Sequence, residues 1–125
     1  MKELSGAEWY VLESLWENSP KVGSQIVTDM SAKKGWSRST TLTMLRRMVE
    51  KQLIFCDDSG KMKAYAPLIA REEAIKKETK SFLDRVYHGS VSMMLNGFVE
   101  KQALTPKEIE ELRKILDNAE NRHEC

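Results

Sequence analysis

Apolar residues recur at helical spacing near the start of the chain, with Trp9, Leu12, Leu15 and Trp16 on one stripe. Ser5 and Glu8, three residues apart, have the spacing of a capping box, and Leu4 and Trp9 occupy the two positions of a hydrophobic staple. A first helix therefore starts after Ser5, and Asn18-Ser19-Pro20 ends it. A second amphipathic segment runs from Gly23 to Lys33, with Ile26, Val27 and Met30 as its apolar stripe and Lys33-Lys34-Gly35 as its close. Trp36 leads into Ser37, a good N-cap, and a third helix is predicted from Arg38 to Lys51. Its packing face is Thr41, Met44, Leu45, Met48 and Val49. Its other face is Ser39, Thr40, Leu42, Thr43, Arg46, Arg47 and Glu50.

The period then changes. Leu53-Ile54-Phe55-Cys56 is a short strand-prone run, Asp57-Asp58-Ser59-Gly60 is a turn signal, and Lys61 to Pro67 alternates with Met62, Ala64 and Ala66 on one side. This predicts a two-stranded hairpin. Helical spacing returns at Ala70, where Ile75, Phe82, Leu83 and Val86 mark an apolar face that Gly89 interrupts. From Ser90 a further helix presents Val91, Met94, Leu95, Phe98 and Val99, with Gly97 weakening its interior by about 1 kcal/mol relative to alanine. Thr105-Pro106-Lys107-Glu108 supplies an N-cap, a first-turn proline and a capping-box acid for a last helix. That helix packs through Ile109, Leu112, Ile115 and Leu116, and a polar tail is expected from Asn118 to Cys125.

The expected fold is mainly α with a small β-hairpin. Residues 1–70 form an N-terminal winged helix-turn-helix, and residues 71–125 form a C-terminal helical dimerisation arm with a polar tail. Three helices followed at once by a hairpin is the order in which a third helix enters the major groove and the wing covers the flanking backbone. The arm carries Phe82, Leu83, Val86, Val91, Met94, Leu95, Phe98, Ile109, Leu112, Ile115 and Leu116 on too little mass to bury them alone, so a second copy of the chain is the expected partner. A twofold dimer sets two recognition helices about 34 Å apart, which matches a palindromic site on double-stranded DNA.

Charge sharpens this picture only when it is located. The formal net charge is +1. Residues 1–71 carry eleven Lys/Arg against eight Asp/Glu, whereas residues 72–125 carry nine against eleven. The excess concentrates in Lys33, Lys34, Arg38, Arg46, Arg47 and Lys51, with Glu50 as the one acid among them, as in a polyanion-binding segment. Thr40 and Thr43 are short enough to bond base edges or touch a thymine methyl, and Leu42 suits apolar contact there. Ser37, Arg38, Ser39, Arg46 and Arg47, with Lys61 and Lys63 beside the wing turn, are the candidate phosphate ligands. The alternative from residue chemistry alone is a winged-helix interaction module whose basic helix docks an acidic protein.

Other classes find little support. No paired carboxylates, nucleophile with a base, or glycine-rich phosphate loop stands at a recognisable spacing, so no enzyme and no cofactor is expected. Cys56 and Cys125 are isolated, as are His88 and His123, and no metal site is expected from them. The seven methionines at helical spacing read as adaptable packing. The acidic start Met1-Lys2-Glu3-Leu4 does not resemble a signal peptide, and no stretch approaches the roughly 18 apolar residues of a spanning helix, so a cytoplasmic protein without direct membrane insertion is expected.

Several segments together resemble the penicillinase-repressor family, the BlaI/MecI/CopY type, over nearly the whole chain. They are Leu4-Ser5-Gly6-Ala7-Glu8-Trp9 with Leu15-Trp16, Gly35-Trp36-Ser37 with Thr40 and Thr43, Leu45 to Val49, and Tyr65-Ala66-Pro67-Leu68. Downstream come Arg71-Glu72-Glu73-Ala74, Ser81 to Arg85, Gly89-Ser90, and Leu104-Thr105-Pro106 with Glu110-Glu111-Leu112. The resemblance implies a homodimeric repressor on a palindromic operator. In the antibiotic-resistance branch it also implies a membrane sensor-protease system that responds to a beta-lactam, with cleavage in the dimerisation region. The matching bond is Gly97–Phe98. The family commonly has asparagine before that phenylalanine, whereas here Gly97 stands there and Asn96 comes one position earlier. Arg38-Ser39 replaces the proline and lysine of many relatives. The cysteine cluster of the copper-responsive branch has no counterpart in the ending His123-Glu124-Cys125.

Overall fold

The computed structural model describes residues 4–123, so the expectations placed on Cys125 and on the residues before Leu4 lie outside the described residues, as does the side chain of His123. Nine elements follow in chain order: α1 (Gly6–Glu17), β1 (Lys21–Val22), α2 (Gly23–Lys34), α3 (Arg38–Glu50), β2 (Ile54–Asp57), β3 (Ala64–Pro67), α4 (Arg71–Tyr87), α5 (Val91–Glu100) and α6 (Pro106–His123). They form two compact units, Met1–Thr79 and Lys80–Cys125.

Local chemistry accounts for the helix starts of the first unit. Ser5 Oγ accepts from the Glu8 amide at 3.1 Å, and Glu8 Oε1 accepts from the Ser5 amide at 2.9 Å, which completes the reciprocal cap of α1. The α2 helix closes on Gly35 in the left-handed region at φ 68°, where the Gly35 amide donates to Ser31 O and the Trp36 amide to Met30 O. A side chain there would sit in a strained backbone conformation. Ser37 then caps α3 by accepting from the Thr40 amide at 3.1 Å.

The core of this unit collects Val11, Leu12 and Leu15 from α1, Ile26 and Met30 from α2, and Leu45 and Met48 from α3, all fully buried. Leu53, Ile54, Tyr65, Ile69 and Ala74 close it, with Trp9, Trp16 and Trp36 packed around the edge. Trp9 and Trp16 meet edge to face with ring centroids 5.2 Å apart.

The hairpin is present and gains a third strand. The antiparallel sheet has the order β1-β3-β2, with Lys21 opposite Tyr65 and Cys56 also opposite Tyr65 from the other side. Two details correct the expectation. The second hairpin strand begins at Ala64, not Lys61, and its buried residue is Tyr65, while Met62 lies in the preceding loop and is largely exposed. An aromatic ring buries far more apolar area than the alanines on either side, so it sets the phase of the strand.

In the second unit Ser90 caps α5 through the Met93 amide at 3.1 Å. Thr105 and Glu108 form another reciprocal cap, at 3.1 and 3.0 Å, over the start of α6. The expected polar tail from Asn118 is corrected as well, because α6 continues to His123. No glycine or proline follows Pro106, so nothing in the sequence stops the helix there. Val91, Phe98, Val99, Ile109, Ile115 and Leu116 are exposed in the single chain, and no residue of α5 is buried. Among the described residues no helix is long and apolar enough to cross a membrane.

Candidate nucleic-acid interface

The turn Gly35-Trp36-Ser37 joins α2 to α3, and half-buried Trp36 fixes it by packing on the core. Ser37, Arg38, Ser39 and Thr40 at the start of α3 are exposed, as are Arg46 and Arg47 further along. Thr43 is half-buried, and Leu42 is 37% exposed. Thr40, Thr43 and Arg47 follow one another at three- and four-residue spacing and so share one side of the helix.

Hydrogen bonding separates these residues further. The Ser37 hydroxyl accepts from the Thr40 amide and donates to Thr40 Oγ1 at 3.0 Å, so its chemistry is spent on the cap. Thr40 keeps its own hydroxyl proton for another acceptor. Leu42 does more than face outward: a Cβ on Gly23 would lie 4.0 Å from Leu42 Cδ2 and 3.7 Å from the Tyr65 ring. A methyl at Gly23 would make only ordinary van der Waals contact with both, at the place where the start of α2, β3 and α3 meet.

The wing is the loop between β2 and β3. Asp57 fastens its start by accepting from the Ser59 amide at 3.0 Å and the Ser59 hydroxyl at 2.6 Å, bonds that hold the Asp57 carboxyl below its ordinary range. Lys61 and Lys63 follow in the loop, both exposed.

The cations of the basic segment fall into two groups. Lys51 Nζ lies 2.7 Å from Glu8 Oε2, Lys33 Nζ lies 3.6 Å from Glu17 Oε1, and Lys34 sits 3.9 Å above the Tyr10 ring. Among the described residues Arg38, Arg46, Arg47, Lys61 and Lys63 form no ion pair. Glu50 was the only acid visible near this segment in sequence, and the structure adds Glu8 and Glu17 from α1. Burial pushes the Glu8 carboxyl up, but the bonds from Lys51 and Ser5 and the Lys51 charge outweigh it and hold the carboxyl below its ordinary value.

A second network escaped the sequence reading altogether. Lys21 Nζ contacts Asp29 Oδ2 at 2.7 Å and Ser14 Oγ at 2.9 Å, and Ser14 donates to the same Asp29 oxygen at 2.8 Å. These bonds tie α1, β1 and α2 together, and the Lys21 bond leads the causes that lower the Asp29 carboxyl. Asn18, Lys21, Ser24, Gln25, Thr28 and Asp29 line an open depression of about 420 Å³. Its polar lining suits water better than an apolar small molecule. Among the described residues no group of three His, Cys, Asp or Glu is placed to hold a metal ion.

Comparison with known proteins fits this geometry. The methicillin resistance regulatory protein MecI of Staphylococcus aureus strain N315 is 33% identical over 115 residues, covering 92% of this chain and 94% of that protein. The penicillinase repressor of Bacillus licheniformis is 32% identical over 120 residues, covering 96% and 94%. Among solved structures, the DNA-binding domain of the repressor BlaI superposes with a TM-score of 0.51 at 28% identity, over 58% of this chain and 93% of that one. The Bacillus licheniformis BlaI monomer, solved in complex with the blaP half-operator, gives 0.52 at 26% identity, over 58% and 88%. With the family model "Penicillinase repressor" matching residues 4–118, the chain belongs to the penicillinase repressor family.

Proposed function

We propose that the chain is a transcriptional repressor that binds operator DNA through α3 and the wing. The observation that carries this reading is the set of exposed arginines on α3, Arg38, Arg46 and Arg47, left without acidic partners, as are the exposed wing lysines Lys61 and Lys63. Unpaired guanidinium groups on a capped helix are suited to phosphate oxygens, and short hydroxyl side chains between them let the helix approach base edges closely. The BlaI structure bound to its half-operator supports carrying this chemistry over to the matching unit here.

In this reading residues 1–70 form the DNA-binding part, with Arg38, Ser39, Arg46, Arg47, Lys61 and Lys63 on phosphates, and Thr40, Leu42 and Thr43 toward the bases. Residues 71–125 form the dimerisation arm. The apolar side chains exposed on α4, α5 and α6 support a second copy as partner, since soluble proteins rarely leave so many uncovered, and a twofold dimer calls for a palindromic operator. Relief of repression proceeds by cleavage of Gly97–Phe98 after a membrane sensor-protease detects a beta-lactam. Target genes induced by a beta-lactam while the chain stays full length would remove that last step.

The deciding experiment titrates a labelled duplex from the protein's own promoter at several salt concentrations. Binding is expected to weaken steeply with salt. Arg46→Ala with Arg47→Ala is expected to flatten the logarithmic slope by about 1.8, the loss of two phosphate contacts. Affinity independent of salt overturns the reading.

A further inference from the structure

Lys51 ends the recognition helix and continues the line of Thr43 and Arg47, each four residues apart and therefore on one side of α3. By position it extends the basic stripe one turn beyond Arg47. Its ammonium is turned instead to Glu8 Oε2 at 2.7 Å, while Glu8 Oε1 holds the Ser5 amide at 2.9 Å. The Glu8 side chain is only 4% exposed, so both of its oxygens are committed, whereas the Lys51 side chain is 56% exposed and can swing to solvent once its partner is neutral.

The pattern extends along α1. Glu13 faces Arg71 at 3.4 Å and Glu17 faces Lys33 at 3.6 Å, so each acid of this helix meets a cation at the end of a different element. These two pairs are more open to water and weaker. Glu8 is the one that is sequestered.

We propose that Glu8 is a specificity-determining residue: it withdraws Lys51 from the polyanion-binding stripe of α3, so that the stripe ends at Arg47 and sequence-independent grip on DNA is limited. The proposal rests on the repressor reading above. Phosphate contacts strengthen binding to every duplex alike, whereas base contacts favour one, so an added cation lowers the ratio of operator to random binding.

The test compares the full-length chain with Glu8→Gln, Lys51→Gln and the double variant, on operator and random duplexes across a salt series. Glutamine also serves at this cap position, so α1 keeps its start. For Glu8→Gln the salt slope is expected to steepen by about 0.9, one added phosphate contact, and the operator-to-random ratio to fall. Lys51→Gln is expected to change neither quantity, and the double variant to return to the original slope. A folded Glu8→Gln protein with an unchanged slope overturns the proposal. So does a flatter slope for Lys51→Gln, which would place Lys51 on a phosphate already. If Glu8→Gln does not fold, Glu8→Ala, which removes the charge together with the buried polar oxygens, is read in the same way. An unsubstituted chain with no salt-dependent duplex binding overturns the repressor reading instead, so the two failures are distinguishable.

Discussion

The Trp16 indole donates to the Ile69 carbonyl oxygen at 2.9 Å, joining α1 to the segment that leads from the wing into α4. Ile69 is 6% exposed, so water has little access to replace that donor. Trp16→Phe removes the N–H and part of the ring and leaves the carbonyl unpaired, which is expected to cost about 1–3 kcal/mol. Urea unfolding measures this as a lower midpoint, and an unchanged midpoint would show that the bond adds no net stability.

The Thr41 hydroxyl is buried on α3 without a hydrogen-bond partner. Its desolvation is uncompensated, so Thr41→Val, which keeps the shape and drops the hydroxyl, is expected to raise stability by about 1 kcal/mol. Thr41→Ser keeps the orphan hydroxyl and loses a methyl, so it is expected to destabilise. Thermal melts of the two variants should move in opposite directions, and a loss in both would mean that the hydroxyl is satisfied.

Much of this fold depends on chemistry that is local in sequence, and that part was legible. The Ser5–Glu8 and Thr105–Glu108 caps, the glycine close of α2 and the Ser37 cap each involve residues a few positions apart. The features that escaped are set by distant partners. Strand β1 has two residues and exists because Lys21 and Val22 pair with Tyr65 and Ala64. Tyr65 turns inward in an alternating stretch where three small or flexible apolar residues favoured the opposite phase. In the candidate interface the exposed arginines were visible from helical spacing. The loss of Lys51 from that set was not, because Glu8 is 43 residues away.

Glu8 and Asp29 predict how stability depends on pH. Both carboxyls titrate below their ordinary values of 4.5 and 3.8 in the folded chain. Their unfolded forms therefore take up protons first as pH falls. The stabilisation is complete above the ordinary values, and it is lost as pH drops through them toward the lowered folded values. Melting temperature is expected to fall below about pH 5. Asp29→Asn should show a shallower decline from a lower starting point, and a decline as steep as that of the unsubstituted chain would exclude Asp29 as a contributor.

Ile115 separates a dimerisation arm from a solvated helix. It is 60% exposed in the single chain, where an aspartate would change stability by no more than about 0.5 kcal/mol. Across a twofold interface the same substitution buries an unpaired charge in each subunit, and the dimer dissociation constant is expected to rise at least tenfold, about 1.4 kcal/mol or more. Sedimentation equilibrium reads the difference, and an unaltered association state for Ile115→Asp would remove Ile115 from the interface.

Thr43 and Arg46 are three residues apart on α3 and predict different losses. Among the described residues the Thr43 hydroxyl makes no hydrogen bond, whereas that of Thr40 is already engaged by Ser37, so Thr43 is the freer of the two proposed base contacts. Thr43→Val keeps the methyl and removes the hydroxyl. Against a panel of single-base operator variants it is expected to lose about 1–3 kcal/mol of discrimination at one base pair, with the salt slope unchanged. Arg46→Ala should instead weaken every duplex in the panel to a similar degree and flatten the slope by about 0.9. The two signatures are independent of overall affinity. Uniform weakening by Thr43→Val would mean that Thr43 supports the backbone approach of α3 and reads no base.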